Sequence, residues 1–408
     1  MKINKTNIVA STIALVLWGA NANAAGYSTM LTSTSGAANS YAGSAAGSHD
    51  ISDMFQNAAT ISNFDKGQFV FSLSYLDLRI DPDNVKVNGS STGNELEDAG
   101  ENAFVPALYF STPINDQFSF GLAVNSPFGL ATKYSETWAG KTESYENKIE
   151  TFNFNPNISF KVNQDLFLAA GLQAQYAKAV FTKIPGATGA LAKTHGSDWG
   201  YGYNFGLRYN LNEDIKLGLG YRSKIAHKYY GVTNAPGIGS SDVPFKTDTP
   251  ESLTAGVAYQ AKDNLELAFD VTWTRWSRLK YISFNHDSNS ILDSTVGFKM
   301  GDSFLYSLGL NYDLNQKTKL RFGTAYEKAA VNTYRNFAIP VSDRIWASTG
   351  LRYQLKDDLA LDAAYVHQFY KNATVNTAGA TGVAQNTNIY GQFKTRVDIY
   401  SIGLKKDF

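Results

Sequence analysis

The chain of 408 residues has no cysteine, and its 36 Lys and Arg residues balance its 36 Asp and Glu residues. The absence of cysteine excludes a disulfide-stapled scaffold and thiolate metal sites. A net charge of zero gives no reason to expect nucleic acid as a partner. Thiol chemistry is therefore excluded as a basis for function, and the overall charge does not point to a nucleic-acid partner.

Long hydrophobic runs are missing as well, and the mean hydropathy is −0.25. Beyond the N-terminus, no stretch approaches the roughly eighteen apolar residues that a membrane-spanning helix needs. A soluble secreted protein and an outer-membrane β-barrel both satisfy this, because a barrel carries its apolar residues at every second position. The 24 Tyr and 25 Phe residues favour a β-rich fold.

The first 24 residues have the three parts of a secretory signal peptide. Lys2 and Lys5 supply the basic part, residues 8–17 the apolar part, and residues 22–24 a small-residue cleavage site. The apolar run is too short to span a membrane. The sequence therefore predicts an exported protein whose mature chain begins near Ala25.

From residue 67 to residue 408 the hydrophobic pattern has a period of two. In residues 265–274, apolar side chains alternate with polar ones that include Glu266 and Asp270. Such alternation is typical of strands with one apolar face, which in a soluble protein packs on a core and in a membrane barrel faces lipid. Periodicity alone leaves both folds open.

Three features favour the membrane barrel. Short turns such as residues 212–213 and 356–357 alternate with long polar connections, as in outer-membrane proteins. The chain ends on Phe408, a terminal aromatic that resembles the signal read by the barrel-assembly machinery. Aromatic residues cluster near predicted strand ends, where they form interfacial girdles: Tyr75, Trp199, Tyr201, Tyr203, Tyr229, Tyr230, Trp276 and Tyr281. The long connections are predicted at residues 84–101, 136–148, 184–197, 233–243 and 372–389.

The fold class predicted is an all-β membrane protein, an antiparallel barrel of about fourteen strands. The segment from 25 to 66 has no clear period and is rich in Gly, Ala, Ser and Thr. Such a segment is either disordered or packed as a plug, or hatch, inside the barrel. The predicted domains are a signal peptide at 1–24, a hatch at 25–66 and a transmembrane barrel at 67–408.

Strand parity sorts the charges of the barrel. The charged side chains that parity places in the lumen have two interpretations. They form a ladder of salt bridges that ties the hatch to the wall, or they line a substrate pathway. Gly218 and Gly220, inside a strand, would leave room for the hatch backbone. The side chains predicted to face inward are Arg222, Glu266, Asp270, Arg321, Glu327, Arg344, Arg352 and Asp362.

Several motifs resemble the FadL family of outer-membrane channels for hydrophobic compounds. The similar segments, in order, are residues 113–118, 127–132, 138–140, 198–204, 221–223, 272–277, 320–323 and 339–344. The family's Asn-Pro-Ala hatch signature corresponds to Asn57, Ala58 and Ala59, with Ala58 in place of proline. The resemblance covers nearly the whole mature chain and implies a location in the outer membrane of a Gram-negative bacterium.

The function implied by the resemblance is passive uptake of a hydrophobic small molecule, most often a long-chain fatty acid. An aromatic-hydrocarbon channel of the same family, a non-transporting surface adhesin or phage receptor, and a porin are the alternatives. We expect no enzyme active site, no cofactor and no metal, since the five His residues are scattered without ligand-like spacing. The expected partners are the hydrophobic ligand, outer-membrane lipid and lipopolysaccharide, and the barrel-assembly machinery, with the chain itself a monomer.

The resemblance also implies a ligand site. Asn57 of the hatch and a basic residue at the place of Lys183 would hold a carboxylate head group. By parity Phe181 also faces the lumen, and Lys299 stands near the place of a second basic residue of the family. If this interpretation holds, Lys183→Ala weakens oleate binding more than hydrocarbon binding.

A lateral exit is implied at Asn125, Ser126, Pro127, Phe128 and Gly129. Proline cannot donate to a strand ladder and glycine weakens one, so the pair predicts a kink, bulge or edge. In the FadL family, a kink in the third strand opens the barrel wall toward the membrane. The alternative is that Pro127 only begins an extracellular loop.

Overall fold

The computed structural model describes residues 27–92, 97–184, 189–298, 300–331, 335–378 and 388–408. Within these ranges fourteen antiparallel strands form a single closed barrel. The strands are β1 (Gln68–Val87), β2 (Ala103–Pro113), β3 (Phe118–Asn125 and Gly129–Lys133), β4 (Glu146–Lys161), β5 (Leu166–Lys183), β6 (Ala192–Asn210), β7 (Ile215–Arg222 and Ile225–Ala235), β8 (Gly239–Thr249 and Ser252–Lys262), β9 (Leu265–Thr274), β10 (Ser303–Asn315), β11 (Thr318–Lys328), β12 (Arg344–Lys356), β13 (Leu359–Tyr370 and Ala373–Asn376) and β14 (Ile389–Asp407). The pairing of β14 with β1 closes the barrel.

The remaining elements are short. Ser90–Ser91 extends the β1 end, and Tyr281–Phe284 pairs with Ser294–Gly297 as a hairpin in the connection after β9. Helical turns occur at Thr34–Ala37, Ile51–Phe55, Ala58–Asn63, Trp276–Arg278 and Ser290–Leu292. No helix in the described ranges has the length and apolar character of a membrane-spanning segment.

The predicted barrel of about fourteen strands is confirmed, and the alternation explains it. In β9, Leu267 and Phe269 are exposed on the outer face, while Asp270 is buried on the inner face. The charges predicted to face inward do so, because a lipid-facing Arg or Lys would cost roughly 2–4 kcal/mol at the bilayer midplane. Arg321 and Arg344 are among the most buried side chains described.

The prediction of a long connection at 233–243 is wrong. β7 continues to Ala235 and β8 begins at Gly239, so the two strands meet in a tight turn. Some of the polar residues that suggested a loop face inward, such as Thr233, whose Oγ1 lies 2.7 Å from Thr194 Oγ1. Others, such as Asn234 and Asp242, are exposed on the opposite face of the hairpin. Gly237 and Gly239 supply the positive φ values, 76° and 112°, that the turn requires.

Two of the predicted girdle residues are also misplaced. Tyr230 is exposed, but its neighbour Tyr229 is only 1% exposed and stacks on Phe245 at 4.6 Å. Successive side chains of a strand point to opposite faces, so the two tyrosines cannot both face lipid. Trp276 is likewise 1% exposed, because it belongs to a helical turn inside the barrel mouth rather than to a strand.

The hatch, described from Tyr27 to Asn63, fills the lumen, and nearly all of its residues are buried. The wall makes room for it with glycine. A Cβ atom on Gly218 would lie 1.8 Å from the carbonyl oxygen of Ala45, and one on Gly220 would lie 1.8 Å from that of Gln56. These contacts with hatch backbone confirm the prediction made for the glycine pair.

Charged wall residues fasten the hatch. Arg352 Nη2 lies 2.6 Å from Asp50 Oδ2, and it also pairs with Asp362. Asp270 accepts hydrogen bonds from the backbone N–H groups of Gly43 and Ala45, each at 2.9 Å. The lumen charges thus form, in part, the structural ladder that strand parity predicted.

We predict that Ala58→Pro is tolerated and slightly stabilising. Ala58 is the first residue of a helical turn, where a free N–H is expected and proline is favoured. Asn57 before it has φ −149° and ψ 106°, which is the extended conformation that proline imposes on its predecessor. The denaturant midpoint of purified protein should rise by the equivalent of about 0.4–1 kcal/mol. A fall would show that the Ala58 N–H is needed.

Candidate ligand-binding site behind a break in the barrel wall

The ladder between β2 and β3 is interrupted. Pairing runs as far as Leu108 with Val124 and resumes at a single bridge between Gly100 and Thr132. Between these points the described residues of the two strands form no ladder, although Ala103–Ala107 remain paired with β1 on the other side. The wall therefore contains a gap beside the segment Asn125–Gly129.

On its other edge, β3 bulges against β4. Asn125 pairs with Asn153 and Gly129 with Glu150, so three residues of β3 oppose two of β4. Pro127, inside the bulge, has no N–H to offer a ladder. The hydroxyl of Thr151 compensates, because it accepts from the Phe128 N–H at 3.1 Å.

The first described residues of the hatch lie against this break. Thr29 N donates to the Pro127 oxygen at 3.0 Å, and Gly129 N donates to the Tyr27 oxygen at 2.7 Å. Ser28 and Phe128 are thus directly opposed, as in a short antiparallel pair. The hatch N-terminus satisfies backbone groups that the wall leaves unpaired.

A narrow cavity of about 30 Å³ lies behind the break; we call it the inner cavity. Pro127 and Phe128 of β3 line one side, and Phe55 and Gln56 of the hatch line another. Arg222 reaches into it from β7. The inner cavity therefore joins the wall break, the hatch and a buried cation.

An apolar cluster extends from the inner cavity toward the loops. Tyr27 packs edge-on against Trp276 at 4.7 Å and against Phe128 at 5.9 Å. The same buried cluster continues to Phe245 and Phe181. A hydrophobic molecule in this region would contact aromatic side chains throughout.

The cluster ends at a second narrow cavity, of about 20 Å³, near the long connections; we call it the outer cavity. Phe181 and Lys183 line it, as does Glu143 from the connection after β3. Burial raises the pKa of the Glu143 carboxyl, and the positive charge of Lys183 partly opposes that rise. The predicted residues Phe181 and Lys183 thus lie together.

Asn57 lies elsewhere in the lumen. Its Nδ2 donates to the Ala45 oxygen at 2.7 Å and to the Leu207 oxygen of β6 at 2.8 Å, while its Oδ1 accepts from Ala59 N at 3.0 Å. Asn57 therefore caps the helical turn that Ala58 begins and joins it to the wall. Of the other predicted ligand residues, Lys299 lies outside the described residues.

Sequence reasoning missed residues of the outer cavity and of the apolar cluster that lies between the two cavities. Tyr27 and Glu143 belong to aperiodic segments, where no parity rule gives a direction. Trp276 was assigned to the girdle. Arg222 was predicted to face the lumen, but only its surroundings in the fold distinguish it from the ladder charges.

A closed barrel with an internal hatch, a wall break and cavities on both sides of an apolar cluster defines a transport protein of the outer membrane. The comparison with protein families agrees. The model of the family described as outer membrane protein transport protein (OMPP1/FadL/TodX) matches residues 15–408. The chain belongs to this family.

Individual relatives match over most of their length. Outer membrane protein P1 of Haemophilus influenzae is 27% identical, over 97% of this chain and 98% of its own. A long-chain fatty acid transport protein of Escherichia coli is 28% identical, over 87% and 90%. Among solved structures, a Pseudomonas aeruginosa FadL homologue has a TM-score of 0.86 at 24% identity, covering 94% of this chain and all of its own. A Pseudomonas putida toluene transporter, TodX, has a TM-score of 0.69 at 16% identity, over 92% and 98%.

Proposed function

We propose that this protein is a passive uptake channel for long-chain fatty acids. The observation that carries the proposal is the inner cavity, which lies behind a wall break and adjoins an aromatic cluster that extends to the outer cavity. Several relatives bear the name long-chain fatty acid transport protein. The proposal assigns the chain no catalytic chemistry.

The physical driving force is the removal of a hydrocarbon chain from water. About fifteen methylenes at ~0.8 kcal/mol each give roughly 12 kcal/mol of gross burial. Phe181 and Lys183 would receive the ligand in the outer cavity, and the aromatic cluster would pass it inward. Release would follow sideways into the bilayer through the gap between β2 and β3, so the ligand need not cross the periplasmic end of the hatch.

The hatch argues against an open porin. Its buried residues occupy the lumen, and their backbone lies against Gly218 and Gly220 without room for a Cβ atom. A water-filled pore for polar solutes needs an open lumen. We therefore place the ligand path along the apolar cluster rather than down the barrel axis.

Saturation binding of radiolabelled oleate to purified protein, combined with uptake by cells that lack their own fatty-acid channel, tests the proposal. We expect saturable binding and restored oleate uptake. Toluene uptake without oleate uptake would favour a hydrocarbon channel. Binding of neither compound, with intact surface display, would favour an adhesin or phage receptor.

The outer cavity leads to a specific prediction for Lys183. Lys183→Ala removes the cation beside Glu143, so an oleate carboxylate loses a hydrogen bond to charge worth roughly 1.5–3 kcal/mol. If each cavity binds oleate, the binding isotherm has two classes of site. In the variant, the affinity of one class should fall about 10- to 100-fold. Hexadecane binding should stay unchanged. Equal losses for oleate and hexadecane, or no loss, would remove Lys183 from the site.

We also propose three further properties: assembly by the barrel-assembly machinery, contact with outer-membrane lipid and a monomeric state. Phe408, exposed at the chain end, stacks on Phe110 at 5.6 Å and presents an aromatic terminus for the barrel-assembly machinery. The exposed apolar face of the barrel would contact outer-membrane lipid and, beside the long connections, lipopolysaccharide. We propose that the chain functions as a monomer.

A further inference from the structure

Arg222 is a buried cation whose contacts are all with neutral groups. Its Nη1 donates to the Phe55 oxygen and to Asn155 Oδ1, both at 3.1 Å, and its Nη2 donates to Gln173 Oε1. The guanidinium also lies over the Phe55 ring, 4.1 Å from the centroid. The side chain is held firmly at the inner cavity, and the residue is only 7% exposed.

No carboxylate balances this charge. Among the described residues, no Asp or Glu forms an ion pair with Arg222, whose hydrogen bonds all go to neutral acceptors. The ladder arginines differ, since Arg321, Arg344 and Arg352 each pair with a carboxylate. Burying an unpaired charge is costly, so an uncompensated arginine at a cavity is a candidate for binding an anion.

The guanidinium also has a donor, Nε–H, that makes no hydrogen bond among the described residues. Arginine has five N–H groups, and the described residues offer no acceptor to Nε of Arg222. The edge formed by Nε and Nη2 is the one that pairs with carboxylates in a two-bond geometry. The rest of the inner cavity supplies the apolar surface of Phe55 and Phe128.

We propose that Arg222 binds the carboxylate head group of a ligand in the inner cavity, whose hydrocarbon chain packs on Phe55 and Phe128. The inner cavity would therefore select anionic amphiphiles over neutral hydrocarbons. This inference rests on the proposed function, since it assumes that hydrophobic ligands enter the cavity. It adds a charge-selective position beside the wall break, distinct from Lys183 in the outer cavity.

Arg208 provides a matched control. It is also buried, its Nε donates to the hatch oxygen of Ala46 at 3.0 Å, and it also lies over an aromatic ring, that of Phe167. Arg208 does not belong to the lining of the inner cavity. A purely structural arginine that joins the hatch to the wall should therefore behave like Arg208.

The test compares binding of oleate with binding of oleyl alcohol, which has the same chain and no charge, to purified wild type, Arg222→Gln, Arg222→Lys and Arg208→Gln. We expect Arg222→Gln to weaken the inner class of oleate sites about 10- to 100-fold and to leave oleyl alcohol binding nearly unchanged. Arg222→Lys should retain much of the oleate affinity. Arg208→Gln should not change the ratio of the two affinities.

Each other outcome contradicts either the role of Arg222 or the proposed function. Equal losses of oleate and oleyl alcohol in Arg222→Gln would show that Arg222 only positions the hatch. Unchanged oleate binding by a folded, heat-modifiable Arg222→Gln barrel would also overturn the proposal. Failure of wild type to bind either ligand would contradict the proposed function, and with it the role of Arg222 that rests on that function.

Discussion

Oxidation of a Ser28→Cys/Phe128→Cys variant should reduce oleate uptake to the background of cells without the channel. The two residues are directly opposed, and they are flanked by the hydrogen bonds from Thr29 to Pro127 and from Gly129 to Tyr27. In such a non-hydrogen-bonded pair the Cα atoms lie about 4.5 Å apart, which is within disulfide range. The crosslink would fix the hatch N-terminus across the wall break.

No other thiol can react in this experiment, because the chain has no cysteine of its own. Only one intramolecular disulfide can form in the double variant. Reductant should restore uptake to the level of the same variant before oxidation, which corrects for the loss of the Phe128 ring. The single variants should be insensitive to oxidant. Full uptake by the crosslinked protein would show that ligand leaves by another route.

Arg352→Ala should loosen the hatch, because it removes the partner of a buried hatch carboxylate. Asp50 is buried beside Arg352, and its side chain also accepts from Ser52. Burial alone would raise the pKa of the Asp50 carboxyl, but Arg352 and the bonds from Ser52 hold it below its usual range. Removing the partner of a buried charge costs roughly 3–5 kcal/mol. We expect a lower denaturant midpoint and raised ion conductance in planar bilayers.

Two variants control for the loss of a large side chain. Arg396→Ala breaks a pair with Asp398 in which the Arg396 side chain is 51% exposed, so its effect should stay below about 1 kcal/mol. Asp50→Asn in the Arg352→Ala background removes the uncompensated charge and should recover part of the lost stability, as a double-mutant cycle measures. Wild-type conductance in Arg352→Ala would mean that the hatch is held by its backbone contacts alone.

The barrel was predictable because lipid and lumen impose opposite requirements on alternate residues. That rule placed Asp270 and Arg352 inside and Leu267 outside without any structure. It failed where no alternation exists, and it misjudged where strands end, as at the turn between Ala235 and Gly239. It also gave no direction for Trp276, which lies between strands.

The site was predictable only in part, for a different reason. Pro127 and Gly129 pointed to the segment where the ladder is interrupted, because their backbone limits are local. The residues that cover the break are distant in sequence, as the bond from Thr29 Oγ1 to the Ser126 oxygen illustrates. Likewise, strand parity placed Arg222 in the lumen, but its lack of a carboxylate partner depends on three other chain segments, those that carry Phe55, Asn155 and Gln173. Contacts of this kind follow from the closed barrel and not from any short pattern.

A crystal structure grown with 9,10-dibromostearate would test the central claim most directly, since bromine gives an anomalous signal that marks the hydrocarbon chain. The account predicts bromine peaks in the inner cavity, between Phe55 of the hatch and Phe128 at the wall break. Bromine found only on the outer, lipid-facing surface of a saturated crystal would contradict it.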